Sequence, residues 1–554
     1  MGSVFTVAGR ERERDPSVPT QERSNPRRSV MSLESCPCAP HESLLLSWLD
    51  KMGARYPKLI WPCVDKVSGV RCAMAKDDIE SDEPIVVVPY ECMLCAPNCL
   101  RDAGGASAKG GGRDVNDNED NDELGLILHK LWKSSSITGD CLLAACIVRE
   151  VLLGEKSKFY PYINFLLGDG PPGTIENWPE SSLELLFSPA LTRAVSVREQ
   201  EMKNRYSRVC RSMLLEGGES SGARNPEDIM PYDLYRWSYQ VIQARAFGRR
   251  IPWSALVPLA DCLNHGNFNV RYRLDIRQER DVAGMDGRCM NRNSRGDQVD
   301  VPTGSNFVIF PSGGNRYKKG GEVFNSYGRR GNDYLMLDYG FCLEDNEHET
   351  VDFKVELAEI IERVNAGSGG NNIEAEVWSM KRNLLLQHGY NSRRTIHLKI
   401  DSPSEDGMVF FRVACMEKEE LFAMKGSLGG NRNGSEEGVT SPKLPGLDMS
   451  SRNVEAKAAR AFRAILESLG LCSEDDDGDD DDDGVVEKGM SIPKVTSPES
   501  GRERQAYIYR VTRERIVKRH IEFMDMVLKG IEQKGEEYTT HERERDANTA
   551  FSPK

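Results

Sequence analysis

The stretch Leu256-Val-Pro-Leu-Ala-Asp-Cys-Leu-Asn-His265 decides the fold of this sequence together with a second stretch, Gly321-Glu-Val-Phe-Asn-Ser-Tyr-Gly328. In both, polar side chains follow directly on an apolar run. The second stretch continues to Asp338-Tyr-Gly-Phe341. A rigid apolar core can therefore point five polar side chains into one shared cavity, which is the preorganisation that group transfer requires; they are those of Asp261, Asn264, His265, Tyr327 and Tyr339. Either stretch alone is typical of a turn or of a packed ring, so the prediction depends on the two occurring together.

Strand-like runs surround these stretches. Their β-branched and aromatic residues predict strands over 269–274, 306–311 and 322–326, with an earlier strand over 85–88. Between residues 124 and 247 the apolar residues instead have helical spacing. Helices enclosed within a mostly β region predict an α+β domain that carries a helical insert.

The sequence divides into an N-terminal arm and two domains, because 554 residues exceed what one hydrophobic core usually serves. Residues 1–40 alternate Arg and Glu with Pro and Ser and show no apolar period, so we expect a disordered arm. The first domain is predicted over 41–345, with its helical insert over about 140–250. Flexible loops are predicted over about 101–122 and 279–304, which are polar and lack periodicity.

A second, mainly helical domain is predicted over 350–540. Helical spacing recurs there in three segments: 374–388, 454–469 and 508–531. The stretches of about 425–452 and 473–503 carry Gly, Ser, Asn, Asp and Pro without a period, so we expect them to be disordered insertions.

The charge distribution argues against a nucleic-acid partner. Nine acidic residues lie in the run 474–483, and without them the net charge of −14 would be −5. Nucleic-acid binding usually requires a basic face, and the sequence offers none. No window reaches the roughly 18 apolar residues that a membrane helix needs, so no membrane span is expected. The sequence does not indicate an oligomeric state.

The 15 cysteines are predicted to be reduced. Several, such as Cys141 and Cys146, lie inside apolar stretches, which suits buried thiols in a reducing compartment. Cys92, Cys95 and Cys99 have a spacing that could supply metal ligands, but neither a second cysteine pair nor a histidine lies near them in the sequence. We therefore expect no metal there.

Together the two stretches resemble the SET-domain methyltransferases, in the subfamily of the Rubisco large-subunit lysine methyltransferase. Further landmarks of that subfamily follow in the same order, at residues 75–89, 157–163 and 237–247. The resemblance covers about residues 41–345. The helical C-terminal region resembles the family's substrate-binding domain, best at 506–518. The resemblance therefore implies a SET β-fold with a helical insert, followed by that helical domain.

The resemblance implies S-adenosyl-L-methionine as cofactor. Arg245 is implied to bind the cofactor's carboxylate, a charge-assisted contact. Asn264 and His265 are implied to hold its amino-acid and adenine parts. Main-chain contacts are implied for the early turn formed by Gly69, Val70 and Arg71. Cys72 stands where the family has a second glycine in this turn.

The resemblance implies a protein lysine as substrate, in a channel lined by Arg249, Asp261, Tyr272 and Tyr339. A methyl group on a sulfonium is already activated, so the protein must mainly bring a neutral amine in line with it. The ammonium form of lysine has an ordinary pKa near 10.4, so a narrow channel lined by rings must favour the uncharged form. Tyr327 is our candidate catalytic residue, acting by alignment and electrostatics rather than as a bulk base.

Two alternatives stay open. One branch of the subfamily methylates a histidine of actin, but that branch lacks a tyrosine at the position of Tyr339, so we favour lysine. The other alternative is a SET-fold scaffold that binds a partner without catalysis. The presence of Arg245, Asn264, His265 and Tyr327 together argues against a scaffold, which would not need them all.

No metal is implied, because only Cys342 stands where histone-type relatives carry a zinc-binding cysteine triplet. The acidic residues of the arm favour the cytoplasm or nucleus over the chloroplast, which stays an alternative. The opening residues, including Gly2, fit an N-myristoylation pattern, with an unmodified arm as the other interpretation.

Overall fold

The computed structural model of the chain describes only part of the sequence. The described residues are 38–65, 68–101, 103, 122–217, 225–277, 301–365, 375–387, 389–422, 452–470, 498–534 and 540–551. The predicted arm, both predicted loops and both predicted insertions lie outside these ranges, apart from their edges. Within the ranges, none of the helices combines the length and the apolar character that a membrane crossing requires.

The strands form three antiparallel sheets. The strands are β1 Leu59–Val64, β2 Arg71–Ala75, β3 Val86–Pro89, β4 Val270–Asp275, β5 Asn306–Pro311, β6 Thr350–Glu356 and β7 Arg393–Lys399. β1 pairs with β2, β5 lies between β3 and β4, and β6 pairs with β7.

Helices make up most of the remaining described chain. In chain order they are α1 Pro40–Met52, α2 Ala96–Leu100, α3 Glu123–Ser134, α4 Gly139–Leu153, α5 Tyr160–Gly168, α6 Glu180–Glu184, α7 Pro189–Gly217, α8 Pro226–Ile229, α9 Tyr232–Arg245, α10 Asn332–Tyr339, α11 Leu357–Asn365, α12 Ala375–Gln387, α13 Glu405–Cys415, α14 Arg452–Ser468, α15 Pro498–Lys534 and α16 Thr540–Ala550. The mixed α+β architecture with a helical insert and a helical C-terminal region is confirmed.

The central sheet carries the predicted strands. β5 is buried along almost its whole length, as expected for a middle strand. In β4 exposure alternates, so that Tyr272 and Leu274 lie on the more buried face while Arg271 and Arg273 are exposed. The strand predictions for 269–274 and 306–311 are therefore confirmed.

The predicted strand at 322–326 is wrong. Val323 donates its backbone N–H to Ala73, whereas Asn325 donates to Asn264 two residues later. The segment thus crosses from β2 to the Asn-His turn and makes only isolated bridges, because no single neighbouring strand runs beside it. This crossing joins the Asn264-His265 turn to the segment that carries Tyr327.

A buried helix, α4, anchors the first domain. Eight consecutive residues of α4, Cys141 to Val148, are buried, and the helix packs against α3 and α9. A helix that is apolar on all sides belongs inside a core. Cys141 and Cys146 are buried thiols, as predicted. α9 in turn ends at Arg245, so the core holds this arginine in place.

The C-terminal region has its own apolar core, formed by β6, β7 and the helices from α11 to α16. β6 alternates buried Val351, Phe353 and Val355 with exposed residues, a strand signal that the prediction of a mainly helical region overlooked. α15 begins at Pro498, so residues 498–503 are helical although the sequence predicts them within an insertion. The first part of α15 contacts the first domain through Gln505, whose Oε1 accepts the backbone N–H of Cys342 at 2.7 Å.

Candidate active site

The two decisive stretches meet. The Tyr327 hydroxyl donates to the backbone carbonyl of Leu263 at 3.0 Å, and the Tyr327 backbone N–H lies 3.3 Å from His265 Nδ1. The two rings are stacked, with centroids 5.1 Å apart. Asn325 adds a backbone bond to Asn264 at 2.7 Å. The structure therefore brings the Asn-His turn and Tyr327 to one place, as the sequence predicts.

Tyr339 and Phe341 complete an aromatic cluster with His265 and Tyr327. The Tyr339 ring centroid lies 4.7 Å from that of Tyr327, and the Phe341 centroid lies 6.2 Å from it. Tyr339 ends α10, and Gly340 then turns the chain with φ of 76°. A Cβ on Gly340 would lie 1.8 Å from the carbonyl oxygen of Gly173, so only glycine fits there. This turn returns Phe341 to the cluster.

The cluster is uncharged at neutral pH. Burial raises the pKa of Tyr327 well above its ordinary value, although the nearby Arg245 charge opposes this shift. Burial also raises the pKa of Tyr339. For His265, burial lowers the pKa to about 4, opposed by a hydrogen bond that the imidazole donates to the Asn325 backbone and that favours the charged form. Both phenols are therefore protonated at pH 7 and the imidazole is neutral.

Two arginines share one carboxylate beside the cluster. Asp169 accepts two bonds from Arg71, at 2.7 and 2.5 Å, and one from Arg245 Nη2 at 2.7 Å. Glu42 adds a contact of 3.1 Å to Arg71, whose guanidinium also lies 5.0 Å from the ring centroid of Phe165. Arg71 thus gives three hydrogen bonds to carboxylates, whereas Arg245 gives one.

Asp261 lies behind Arg245. Its side chain is completely buried, it accepts the Tyr162 hydroxyl at 2.6 Å, and Arg245 Nη1 is 3.6 Å away. Burial raises the pKa of Asp261, opposed by the Arg245 charge. The sequence predicts Asp261 in the wall of the substrate channel; the structure shows that its described partners are Tyr162, Arg245 and Cys262.

The early turn lies next to Asn264. Gly69 has φ of 67°, and Asp65 closes the turn by donating its backbone N–H to the Val70 carbonyl at 2.9 Å. Asn264 Nδ2 donates to the Arg71 carbonyl at 2.8 Å, which ties this turn to the Asn-His turn. The Arg71 end of the turn thus lies beside Asn264, and the main-chain contacts of Gly69, Val70 and Arg71 with a cofactor stay a prediction.

Cys72, the residue that departs from the family pattern, lies in β2. Its side chain is buried, and it pairs across the sheet with Cys63. An extended strand position accepts any side chain, so the absence of glycine there leaves the turn before it intact.

Tyr272 contacts Arg249, but its ring packs away from the aromatic cluster. The Tyr272 hydroxyl accepts the Arg249 backbone N–H at 3.0 Å, and the Tyr272 ring packs against Phe247 and Phe307. None of the ring contacts in the described ranges joins Tyr272 to Tyr327. Tyr272 therefore orients the chain at Arg249. The Arg249 side chain is exposed and reaches Gly328, next to Tyr327.

Sequence reasoning missed Asp169 and Tyr162. Asp169 lies in a short Gly-Asp-Gly segment after α5, where an acidic residue is ordinary turn chemistry. From the sequence alone, Tyr162 is interpreted as an aromatic ring packed in the core. Each becomes recognisable only when the fold places it beside an arginine or a carboxylate distant in sequence.

The cysteines of the early segment are separate buried thiols. Burial raises the pKa of Cys92 and of Cys95 to about 12, and Cys99 is shifted in the same direction. No group of His, Cys, Asp or Glu side chains in the described ranges is arranged to hold a metal ion.

Comparisons with known proteins find similarity to methyltransferases over parts of the chain. Residues 374–517 match the family model described as Rubisco LSMT substrate-binding. The ribosomal lysine N-methyltransferase set10 of Schizosaccharomyces pombe is 26% identical over 225 residues, which cover 39% of this chain and 34% of the relative. An actin-histidine N-methyltransferase of Danio rerio is 26% identical over 205 residues, covering 35% of this chain and 27% of the relative. The matches thus span about a third or less of these curated relatives.

Solved structures share the fold. The SET domain of LSMT bound to lysine and AdoHcy superposes with a TM-score of 0.52 at 14% identity, covering 93% of this chain and 97% of the other. Rubisco LSMT bound to AdoMet gives a TM-score of 0.51 at 14% identity, covering 90% of this chain and 97% of the other. The likeness extends through both domains.

Proposed function

We propose that this chain, which is homologous to SET-type methyltransferases, transfers a methyl group from S-adenosyl-L-methionine to a lysine of a protein substrate. The observation that carries the proposal is the stacking of Tyr327 on His265, beside Tyr339 and near the two arginines that share Asp169. This arrangement combines a place for a carboxylate with a ring-lined place for an amine, and the transfer needs both.

The residues present fit the amino-acid end of the cofactor. Arg245 gives one donor to Asp169 and its side chain is one-fifth exposed, so other donors of the guanidinium can meet a carboxylate. Asn264 and His265 would hold the amino-acid and adenine parts, and the turn of residues 69–71 would add main-chain contacts. When bound, the cofactor supplies a methyl group already activated by its sulfonium.

Tyr327 would position the incoming amine. Its proton is engaged with the Leu263 carbonyl, so the oxygen is left with lone pairs that can accept a hydrogen bond from the amine. Because its pKa is raised by burial, the phenolate is scarce at neutral pH and the residue cannot serve as a bulk base. Tyr327 therefore acts by alignment and electrostatics.

The aromatic cluster would favour the uncharged amine. The rings of Tyr327, Tyr339 and Phe341 exclude water around the bound lysine, and loss of water penalises the ammonium form. The neutral amine would offer its lone pair to the methyl carbon, so that the N–C bond forms as the S–C bond breaks and S-adenosylhomocysteine leaves. The methylated amine would then lose its extra proton to solvent or buffer.

Histidine methylation is the second candidate. Actin-histidine N-methyltransferases are similar over a comparable part of the chain, which is the observation that favours it. The Tyr339 ring, 4.7 Å from Tyr327, narrows the cluster and supports lysine instead, because a flexible amine fits a narrower channel than an imidazole. Mass spectrometry of the methylated residue in the product distinguishes the two.

The proposal is tested with purified full-length protein, radiolabelled cofactor and cell lysate, followed by mapping of the modified residue. We expect labelling of a protein lysine, and we expect Tyr327→Phe to remove most of it while cofactor binding is retained. Tyr317→Phe is the matched control, because it also removes a tyrosine hydroxyl bonded to a backbone carbonyl, that of Phe324 at 2.6 Å. Equal labelling by Tyr327→Phe and the wild type would contradict the role of Tyr327.

We also propose a cytoplasmic or nuclear location, on the acidic content of the N-terminal arm. Imaging of the full chain with a C-terminal fluorescent tag tests this, and chloroplast import would contradict it.

A further inference from the structure

Arginine side chains surround the residue that follows Tyr327. Gly328 has φ of 108°, and a Cβ built on it would lie 3.4 Å from Arg249 Nη1 and 3.7 Å from Arg330 Nε. Arg329 lies between Gly328 and Arg330 in the sequence, and its side chain is exposed. We call Arg249, Arg329 and Arg330 the arginine rim. The rim borders Tyr327, the residue that would position the incoming amine.

Two of the three rim arginines, Arg249 and Arg330, are held in place by the protein around them. The Arg249 backbone is fixed by the Tyr272 hydroxyl at 3.0 Å. The Arg330 guanidinium lies 4.3 Å from the ring centroid of Tyr334, and the Arg330 carbonyl accepts Asn346 Nδ2 at 2.9 Å. Fixed backbone and a stacked guanidinium favour a preformed binding surface over a set of freely moving side chains.

The rim arginines differ from the other arginines nearby in their partners. Arg71, Arg198, Arg245 and Arg513 each form an ion pair with an aspartate. For the rim, no carboxylate of the described residues lies within ion-pair distance of any guanidinium. For these four arginines, the chain itself supplies the anion. At the rim the positive charges repel one another and a partner anion would relieve that repulsion.

The chemistry of the rim favours a protein carboxylate as that anion. Arginine binds carboxylates through two parallel bonds. A polyanion such as RNA would be repelled over a long range by a chain of net charge −14, whereas one or two carboxylates beside a target lysine interact at short range. Residues two positions apart on one face of an extended peptide are about 7 Å apart, a reach that suits a rim adjoining Tyr327.

We propose that the arginine rim binds carboxylates that flank the target lysine, so that the substrate is a lysine within an acidic segment. This inference rests on the proposed function. It deepens that function by naming the substrate class.

The test compares matched peptides with wild-type full-length protein and labelled S-adenosyl-L-methionine. Each of the three peptides has one central lysine and differs only in the residues within three positions of it. The acidic peptide carries Asp or Glu there, the amide peptide carries the isosteres Asn or Gln, and the basic peptide carries Lys and Arg. We expect kcat/KM about tenfold higher for the acidic peptide than for the amide peptide, mainly through KM and with the difference shrinking as salt rises. Peptide binding by fluorescence anisotropy is measured in parallel, so that the rim is tested even where no peptide is methylated.

A charge reversal sharpens the test. Arg249→Glu combined with Arg329→Glu should abolish the preference for acidic flanks and favour the Lys and Arg peptide, while binding of S-adenosylhomocysteine stays within about twofold. Arg271→Glu is the matched control, because Arg271 is exposed on the opposite face of β4 from Tyr272 and should keep the wild-type preference.

Different outcomes contradict different claims. If the acidic and amide peptides bind and react equally, the rim inference is wrong while the proposed function can stand. If no peptide and no lysate protein accepts methyl groups, the proposed function fails, and the binding preference still decides the rim. If a single-stranded RNA oligomer binds the wild type tightly and loses affinity in the doubly reversed variant, the rim serves nucleic acid and the inference is overturned.

Discussion

His265 and Tyr327 stack with an angle of 13° between their rings, and the backbone N–H of Tyr327 approaches His265 Nδ1 at 3.3 Å. The pair joins the Asn-His turn to the crossing segment that carries Tyr327. Because a protonated Nδ1 could not accept that bond, the contact requires a neutral imidazole. Stability of the site therefore depends on the charge of His265.

We predict that acid weakens the fold through His265. Its pKa is lowered to about 4 in the folded chain from an ordinary 6.5, so the unfolded chain binds more protons between these values and stability falls as pH drops from 6.5 towards 4. The expected loss between pH 7 and pH 5 is about 2 kcal/mol from this group. Urea unfolding at both pH values measures it.

His265→Gln should flatten that pH dependence, although it also lowers stability at pH 7. His520 is buried with a pKa of about 4 as well, so part of the dependence will remain. His541→Gln is the control, because the His541 side chain is 93% exposed and its removal should leave the slope unchanged. An identical slope in the wild type and His265→Gln would contradict this prediction.

We predict that Asp169 positions the two arginines for the cofactor. Arg71 and Arg245 carry like charges and meet on this one carboxylate, so Asp169→Asn should let them move apart. The dissociation constant of S-adenosylhomocysteine should rise about tenfold, the effect of one lost charge-assisted contact. Isothermal titration calorimetry measures it.

A ligand without the carboxylate separates positioning from general damage. 5′-Methylthioadenosine keeps the adenosine part but has no carboxylate for Arg245, so its affinity should change by less than about twofold in Asp169→Asn. Asp169→Glu should recover part of the affinity for S-adenosylhomocysteine. Equal losses for the two ligands would show that Asp169 has only a structural role.

We predict that Gly340→Ala strongly destabilises the chain. The new Cβ would lie 1.8 Å from the Gly173 carbonyl oxygen, so the turn that returns Phe341 to the cluster must shift. Gly320→Ala is the matched control, since Gly320 has the same φ of 76° but nothing within 4 Å of the added carbon. The control should cost about 1 kcal/mol from backbone conformation alone, and Gly340→Ala about 2 kcal/mol more. Equal unfolding free energies for the two variants would contradict the clash.

The sequence was sufficient where a signal is local. The apolar runs that end at His265 and at Tyr327 predict a shared pocket, and the β-branched run of β5 predicts a buried strand. Helical spacing likewise predicts α14 to within a few residues. In each case short-range periodicity and burial point to the same structure.

The sequence was insufficient where a partner is distant. Asp169 acquires its role only from Arg71 and Arg245, which lie 98 and 76 residues away. Residues 322–326 look like a strand because their composition is that of one, but pairing depends on which neighbours the fold provides. Tyr272 has the residue type expected in a channel, yet its hydroxyl is used to hold the Arg249 backbone.

A buried carboxylate joins α10, which carries Tyr339, to the C-terminal helix α15. Glu349 Oε2 accepts the backbone N–H of Asn332, at the start of α10, at 2.5 Å, while Oε1 is buried without a hydrogen-bond partner among the described residues. The charged groups facing it are Asp333 and Arg513, and Arg513 also pairs with Asp333 at 2.9 Å. Burial raises the pKa of Glu349 to about 8, opposed by the Asn332 bond. The carboxyl group is thus protonated at neutral pH.

We predict that this junction weakens in mild alkali. The folded chain holds a proton on Glu349 that the unfolded chain has already lost above its ordinary pKa of 4.5, so stability from this group is complete at low pH and declines as pH rises to about 8. Glu349→Gln keeps an uncharged group of the same shape and should remove that decline, leaving the variant more stable than the wild type at pH 9 by a few kcal/mol. Urea unfolding at pH 6 and pH 9 measures the difference. Glu347→Gln, at an exposed neighbouring position, is the control and should keep the wild-type decline. If Glu349→Gln loses as much stability between pH 6 and pH 9 as the wild type, the Glu349 carboxyl is already ionised in the folded chain.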